Sequence, residues 1–457
     1  MIPIGWEAYG YLANVLNGKP ELNGEAPSEI NILKENGYLA ESSRVKNIRH
    51  PYTGYLEQFL ERKLSKITLQ VTQSCNLACK YCSYDFNRNK RQRSHSEKTM
   101  TWATAKKAID FLWEHSIDSE DINVSAYGGE VLLAFSLFKQ IVEYSRKRFF
   151  GKPLTFNVTS NTTLFTEEII KYFAENDISL LVSLDGPKEI NDRNRVFPDG
   201  SGTYDTVMEN IRLIQRVAPD YAQKLSVNMV IDPVNDFDCM NDVRLSCREL
   251  ETINIQSSMM DLSYDDEPVV FSEEYAWKNE YHLFVAAMSH FGRVPKEDVS
   301  PISNTAFMRL ADDAEKLDST AGLYTNDAPS GPCIAGKMRL FVTVDGVFIP
   351  CERVSETSSA MQIGTLDEGF DYKKIHSIIN IGSLTKDECI NCRCFRDCMM
   401  CAKYSDSESG KLTAEERLKH CGNAKNNASY QKRFMLFLKE APLFYGRQIR
   451  MDGGAKS

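Results

Sequence analysis

Three cysteines in one short run are the residues whose types and spacing most clearly carry chemistry. Cys75, Cys79 and Cys82 lie in the segment CNLACKYC, and their thiolates can hold three irons of a [4Fe-4S] cluster. A structural cluster closes every position with Cys, so three ligands leave the fourth iron open to an outside molecule. Zinc knuckles are the alternative, but zinc motifs usually pair short Cys-x-x-Cys units.

A second cysteine field holds eight of the 13 cysteines, between residues 333 and 421. In a chain without a secretion signal this density favours metal ligands over disulfides, because the cytosol keeps thiols reduced. Eight thiols suffice for two further clusters of four. Cys239 and Cys247 stand apart in a predicted helix, and we interpret them as buried small hydrophobic residues.

Size and composition describe an ordinary globular chain. Its 457 residues are 42% hydrophobic and 26% charged, which allows two or three domains. The start, MIPIGWEAYG, lacks a basic segment followed by an apolar core, and no apolar run reaches the length of a membrane span. We therefore expect a cytoplasmic protein with no membrane contact. The formal net charge of −9 argues against nucleic acid as the main partner.

The elements that must position these cysteines alternate between strands and helices from residue 66 to about 260. Strands are predicted at 67–72, 122–127, 154–160, 179–184, 225–231 and 253–258. Helices are predicted at 102–114, 135–148, 167–175, 204–217 and 239–250. This alternation predicts an α/β fold with a parallel sheet. Six strands are too few for a closed eight-stranded barrel, and the first cysteine run follows the first strand at its carboxyl end, where ligands collect.

The first cysteine run, with Tyr81 just before its last cysteine, resembles the signature of the radical SAM enzymes. In that superfamily S-adenosylmethionine chelates the open iron, and one electron cleaves it to a 5'-deoxyadenosyl radical that abstracts hydrogen. The resemblance covers roughly residues 65 to 425. It implies a partial (β/α)6 barrel over residues 63–325, Tyr81 among the cofactor-binding residues, and a reducing electron donor such as flavodoxin or ferredoxin.

Motifs after the second and third strands fit the same pattern. Gly128 and Gly129 would let the backbone approach a ligand closely, and Glu130 would pair with the ammonium group of the methionine moiety. Ser160 and Asn161 supply polar groups suited to the ribose hydroxyls.

The motif after the fourth strand extends the resemblance. Ser183 would bind the cofactor, and Asp185 would lie close to the substrate radical site. Arg193 or Arg195 could hold the methionine carboxylate in a two-pronged pair, or form a surface ion pair. Asn191 stands where a His is more usual, so no role of that His is carried over.

Residues 326–425 resemble the seven-cysteine SPASM pattern, which houses two auxiliary [4Fe-4S] clusters. By this resemblance the distal auxiliary cluster would be held by a distal set, Cys389, Cys392, Cys398 and Cys421. The proximal auxiliary cluster would be held by a proximal set, Cys333, Cys351 and Cys401. The proximal set leaves one iron without a protein thiolate. Cys394 could supply the missing thiolate, or the iron could bind a substrate thiolate. An unused thiol beside a cluster would be prone to oxidation, which favours Cys394 as the closing ligand.

Glu352 directly follows Cys351 of the proximal set. In the related anaerobic sulfatase-maturating enzymes an Asp at this place serves as a base. A carboxylate beside a cluster could take a proton from substrate, or it could form a structural ion pair, with Arg353 standing next to it. The sequence leaves both readings open, and Glu352 joins Asp185 as a candidate catalytic residue.

The remaining segments flank this pattern. A helical segment is predicted over residues 1–62, with helices at 7–16 and 27–37. This segment either caps the barrel or is part of a module that binds the leader of a precursor peptide. Residues 426–457 read as a helix and tail. Residues 88–98, RNKRQRSHSEK, read as a solvated loop or as a docking strip for an acidic peptide. Residues 326–331 read as a loop.

The sequence therefore predicts a radical SAM/SPASM enzyme with three [4Fe-4S] clusters. It most resembles maturases that form thioether or carbon-carbon cross-links in ribosomally made precursor peptides. One alternative is an anaerobic sulfatase-maturating enzyme that makes formylglycine. The other is a non-catalytic zinc-binding scaffold.

Overall fold

The computed structural model describes residues 4–16, 18–19, 24–36, 38–39, 45–84, 91–235, 237–238, 247–250, 253–261, 272–316, 324–329, 333–337 and 339–445. The strands are β1 (Asn47–Ile48), β2 (Lys66–Thr72), β3 (Ile122–Gly128), β4 (Leu154–Ser160), β5 (Ile178–Ser183), β6 (Ser226–Ile231), β7 (Asn254–Met259), β8 (Asn326–Asp327), β9 (Leu340–Val342), β10 (Val347–Ile349), β11 (Gly364–Thr365) and β12 (Gly369–Phe370).

The helices follow the same chain order. They are α1 (Trp6–Leu16), α2 (Ser28–Glu35), α3 (Leu56–Arg62), α4 (Trp102–Glu114), α5 (Phe135–Arg148), α6 (Glu167–Glu175), α7 (Lys188–Asn194), α8 (Tyr204–Val217), α9 (Pro219–Ala222), α10 (Glu273–His290), α11 (Pro301–Lys316), α12 (Tyr372–Ile379), α13 (Lys386–Ile390), α14 (Ala414–Lys419) and α15 (Cys421–Tyr445). None of the helices in the described part of the chain combines the length and apolarity needed to cross a membrane.

The strands β2 to β7 form a parallel sheet in sequence order, with helices between them. This confirms the predicted α/β fold: all six predicted strands lie within one residue of the observed bounds, and the first four predicted helices match α4, α5, α6 and α8 end for end. Of the helix predicted at 239–250, residues 239–246 lie outside the described part of the chain, and Arg248–Leu250 form a 3-10 turn.

The central strand β2 is buried along nearly its whole length, as expected for a parallel strand covered on both faces. Helix α4 packs against the sheet through residues spaced three and four apart, Ala105, Ala108, Ile109 and Leu112, all fully buried. The rigid middle of the sheet is therefore the strand that leads directly into the first cysteine run.

The Cys-rich region extends the same sheet. Strand β9 pairs in parallel with the outer side of β2, and β9 to β12 then continue as antiparallel strands. The full order is β12-β11-β10-β9-β2-β3-β4-β5-β6-β7, and β12 does not pair with β7 among the described residues. The sheet is thus open, and it runs unbroken across the boundary expected near residue 325.

The first part of the chain contacts the entrance to the Cys-rich region. Strand β1 pairs in parallel with β8, so Asn326–Asp327, which the sequence predicted as loop, form a short strand. Helices α1 and α2 appear close to the predicted positions, and Trp6 of α1 is 88% exposed. Helices α10, α11 and α15 share a separate apolar cluster around Phe307.

Candidate active site

The first cysteine run forms a loop at the carboxyl end of β2. Two backbone hydrogen bonds hold this cluster loop: Ala78 N donates to Val196 O at 2.8 Å, and Lys80 N donates to Asn194 O at 2.9 Å. The chain at the end of α7 therefore fixes the cluster loop.

The thiols of the cluster loop are largely enclosed. Burial raises the pKa of Cys75 to about 12, and it raises that of Cys79 to about 11 despite the neighbouring Arg195. Iron ligation would have to displace these protons, because only the thiolate binds a metal. Cys82 Sγ lies 3.5 Å from His95 Nε2, a neighbour inside the basic run that sequence reasoning did not assign to the site.

Gly128 and Gly129 allow a close approach, but the approach is between two backbone segments. A Cβ on Gly128, whose φ is +152°, would lie 2.0 Å from Thr72 O, and one on Gly129 would lie 2.0 Å from Ser74 O. Glu130 N donates to that same Ser74 O at 2.9 Å. The glycines thus press the turn after β3 against the start of the cluster loop.

Glu130 is 1% exposed and accepts three hydrogen bonds from the protein. Ser160 Oγ donates to it at 2.8 Å, and the backbone N–H groups of Asn161 and Leu132 donate at 2.8 and 3.0 Å. Burial raises the pKa of Glu130, and these three donors oppose that rise. A carboxylate offers about four acceptor sites, so an ammonium group can still be accommodated.

Asn161 links this turn to the cluster loop. Its Nδ2 donates to Asn76 Oδ1 at 2.8 Å, and Asn76 Nδ2 donates to Thr163 Oγ1 at 2.8 Å. The intervening Thr162 has a φ of +64°, which is strained for a β-branched residue. Such strain persists only where neighbours enforce it, and it clusters at ligand sites.

Asp185 sits in a buried polar group beside the cluster loop. Tyr81 Oη donates to its Oδ2 at 2.5 Å, Arg195 Nε lies 3.0 Å from the same oxygen, and Val230 N donates to Oδ1 at 3.0 Å. The guanidinium of Arg195 also stands 5.5 Å from the centre of the Tyr81 ring. Arg195 thus forms a buried ion pair within the site.

The other candidates after β5 lie close by. Ser183 is the buried last residue of β5. Asn191 Oδ1 accepts from Asp185 N at 3.2 Å, so it positions the chain there. Arg193 Nη1 donates to Asn235 Oδ1 at 2.5 Å. Arg193 is therefore not part of the ion pair that Arg195 forms with Asp185.

The distal set lies around one cavity of about 90 Å³. All four of its cysteines line this cavity, and so does Cys394, which is 3% exposed. Cys392 N donates to Cys389 O at 3.0 Å, a turn that brings their side chains to the same side. The structure therefore places Cys394 with the distal set, whereas the sequence considered it as a ligand of the proximal cluster.

In the proximal set, Cys351 and Cys401 are partly buried and Cys333 is exposed. Burial, followed by the charges of Glu352 and Cys401, raises the pKa of Cys351 to about 11. Burial likewise raises the pKa of Cys401, with Cys333 among the smaller causes.

Glu352 forms an ion pair with Arg339, and its side chain is 18% exposed. The partner of Glu352 is therefore Arg339 and not the adjacent Arg353, which the sequence analysis considered. No local pattern relates residues 13 apart, so Arg339 could not be predicted as the partner.

Residues 91–93 of the basic run pack against the protein instead of forming a solvated loop, whereas Lys98 of the same run is exposed. The docking strip stays a prediction. Arg93 forms an ion pair with Glu356 at 2.8 Å, with side-chain exposures of 9% and 6%. Its guanidinium stacks 3.9 Å from the centre of the Tyr84 ring, and Gln92 Nε2 donates to Val354 O at 2.9 Å. Residues 91–93 instead fasten the segment after the cluster loop to the Cys-rich region.

The arrangement of the thiols also bears on whether a zinc ion or a [4Fe-4S] cluster fits them. No three Cys, His, Asp or Glu side chains among the described residues converge as ligands of one metal ion do. Mononuclear zinc needs such tetrahedral convergence, whereas a [4Fe-4S] cluster spreads its thiolates over separate irons. The spread of these cysteines fits iron-sulfur clusters better than it fits mononuclear zinc, and Cys333 of the proximal set is exposed.

Comparisons with known proteins identify the barrel part of the chain. Residues 69–245 match the Radical SAM superfamily, which confirms the predicted radical SAM domain. An uncharacterized protein of Methanocaldococcus jannaschii is 37% identical over 145 residues, which cover 32% of this chain and 46% of that protein. The chain thus spans less than half the length of this relative.

Two further comparisons cover most of the chain. A cysteine-type anaerobic sulfatase-maturating enzyme of Clostridium perfringens is 24% identical over 356 residues, 76% of this chain and 90% of that enzyme. The solved structure of native anSMEcpe with bound AdoMet and Cp18Cys peptide aligns with a TM-score of 0.57 and 20% identity, over 80% of this chain and 99% of that chain. At this identity the structural likeness shows the fold alone.

Proposed function

We propose that this chain, which carries a radical SAM domain, is a maturase that abstracts hydrogen from a peptide and forms a thioether or carbon-carbon cross-link. One observation carries the proposal: the cluster loop, the Glu130 turn and Asp185 meet at one edge of a sheet that continues into the Cys-rich region. When bound at the open iron of the loop's cluster, S-adenosylmethionine supplies the hydrogen-abstracting radical.

Individual residues of the chain would bind the cluster, bind the cofactor and enclose the site. Cys75, Cys79 and Cys82 would hold the cluster, and Glu130 would take the ammonium group of the cofactor. The buried pair of Asp185 and Arg195 would keep water from the reacting centre, since a low-dielectric, closed site suppresses side reactions.

Further cofactor contacts and partners belong to the same proposal. Tyr81, Ser160, Asn161 and Ser183 border this edge. The distal and proximal sets would hold two auxiliary clusters, and a reduced flavodoxin or ferredoxin would deliver electrons. The peptide partner is supported by the C. perfringens relative, whose name describes an enzyme that matures another protein.

The first experiment replaces Cys75, Cys79 and Cys82 together by Ala. With three clusters present, bound iron should fall from about twelve to about eight per chain, and deoxyadenosine production should cease. The control is Cys247→Ala, because Cys247 is buried in the barrel core and lies 2.8 Å from Tyr204 Oη, outside every cysteine set. Cofactor cleavage retained in the triple variant would refute the cluster assignment.

An anaerobic sulfatase-maturating activity is the second candidate, favoured by the alignment over 90% of the C. perfringens enzyme. The ion pair between Glu352 and Arg339 counts against it, because a base must be free to take a proton. Mass spectrometry of a treated Cys peptide separates the two. A thioether forms one S–C bond, loses one hydrogen from each partner and keeps the sulfur, whereas formylglycine loses the sulfur and reacts as an aldehyde.

A further inference from the structure

Arg417 is a fully buried guanidinium beside the distal set. Its exposure is 0%, and its Nη1 donates to Met400 O at 3.3 Å. Nε and Nη2 have no hydrogen-bond partner among the described residues. Leaving charged donors buried without acceptors destabilises the fold, so this arrangement calls for an acceptor.

The position of Arg417 indicates where that acceptor lies. Met400, which accepts this hydrogen bond, stands between Cys398 of the distal set and Cys401 of the proximal set. Helix α14, which carries Arg417, leads directly into Cys421 at the start of α15. Cys421 Sγ donates to Arg417 O at 3.8 Å, and Met400 lines the cavity of the distal set.

We propose that Arg417 sets the reduction potential of the auxiliary cluster held by the distal set, by placing a buried positive charge and free N–H donors against it. The inference rests on the proposed auxiliary cluster. Hydrogen bonds to the sulfurs and the net charge around a cluster tune its potential. A buried cation favours the more negative, reduced form, so Arg417 raises the potential and makes this cluster a better electron acceptor.

The test measures midpoint potentials by redox titration followed by electron paramagnetic resonance. The full chain with Cys75, Cys79 and Cys82 replaced by Ala serves as background, since it retains only the auxiliary clusters. The signal lost in Cys389→Ala/Cys392→Ala identifies the distal cluster. If that double variant loses no iron, the proposed cluster itself fails, and this outcome is distinct from a failure of Arg417.

Arg417→Gln should shift the distal midpoint potential to a more negative value and leave the proximal one in place. Arg417→Lys, which keeps the charge but loses the planar fork, should give a smaller shift in the same direction. Lys425→Gln is the matched control, because Lys425 lines the cavity of the distal set but is exposed to water, and its loss should shift the potential less than Arg417→Lys.

An unchanged distal potential in Arg417→Gln, with all auxiliary iron retained, overturns the proposal. Selective loss of the distal iron at an unchanged unfolding temperature supports it, because the guanidinium is then needed to hold the anionic cluster. If Arg417→Gln fails to fold, Arg417→Lys decides, and a potential equal to that of the parent protein overturns the proposal.

Discussion

Tyr81 donates a 2.5 Å hydrogen bond to Asp185, and this bond joins the cluster loop to the chain that follows β5. Asp185 is 2% exposed and Tyr81 is partly buried, and burial raises the pKa of Tyr81, so its hydroxyl stays a donor. Tyr81, the aromatic residue of the cysteine run, thus helps to hold the cluster loop in place, in addition to its predicted contact with the cofactor. It ties the iron-binding loop to the carboxylate expected beside the substrate.

Tyr81→Phe should therefore loosen the cluster loop. Removing one donor from a buried carboxylate costs about 1–3 kcal/mol, and Arg195 still pairs with Asp185, so the fold should survive. Denaturant unfolding measures the stability, and deoxyadenosine production measures the site. Tyr221→Phe is the control, because it removes a buried 2.6 Å hydrogen bond to Ile178 O away from the site. Equal cofactor cleavage in the two variants would contradict the positioning role.

Glu130→Ala should weaken S-adenosylmethionine binding by at least tenfold, because an ammonium group left unpaired costs roughly 1.5–3 kcal/mol. The structure adds a complication, since Glu130 also holds the turn through Ser160 and Asn161. Glu130→Gln separates the two effects, because its amide oxygen can still accept hydrogen bonds from the turn while the charge is lost. Calorimetric titration should show weakened binding for Glu130→Gln as well, and an affinity equal to that of the wild type would move the ammonium contact elsewhere.

Gly129→Ala should displace the cluster loop, because its Cβ would lie 2.0 Å from a backbone oxygen of Ser74 that cannot move alone. We expect a lower unfolding temperature and loss of about four irons per chain, the content of one cluster. Gly54→Ala is the control, since nothing lies within 4 Å of a Cβ there. Full iron content in Gly129→Ala would show that the turn can shift away from the loop.

Most of the barrel could be predicted from the sequence because its signals are local. Apolar β-branched runs define β2 to β7, and helical periodicity defines α4, α5, α6 and α8 to the residue. The distal and proximal sets were predicted from the resemblance to the SPASM pattern, and the four cysteines of the distal set line one cavity.

The contacts that were missed join residues far apart in sequence. The sequence predicts a solvated Arg93, because its partner Glu356 is 263 residues away and no local pattern indicates it. Strand β9 has only three residues, too few for a period-two pattern, and its parallel pairing with β2 spans most of the chain. Such pairings depend on tertiary structure, so no local rule could have found them.

The ion pair of Arg93 and Glu356 should be among the costly contacts to break. Arg93→Met would leave a buried carboxylate unpaired, which costs about 3–5 kcal/mol. The exposed pair of Arg62 and Asp118 provides the control, and Arg62→Met should change the free energy of unfolding little. The double variant Arg93→Met/Glu356→Gln should recover part of the loss. Equal effects of the two Arg substitutions would mean that solvent reaches the buried pair.

Cys394 decides whether substrate can meet iron directly at the proximal cluster. Its place in the cavity of the distal set leaves the proximal set with three thiols, which supports an open iron there and runs against the expectation of closure. We therefore expect a substrate peptide carrying Cys to perturb the paramagnetic signal of the proximal cluster in the wild type, while its Ser counterpart does not. Cys394→Ala should leave this response unchanged. A wild type silent to both peptides, together with a response that emerges only in Cys394→Ala, would restore Cys394 as the closing ligand and would argue against thioether formation through an iron-bound substrate sulfur.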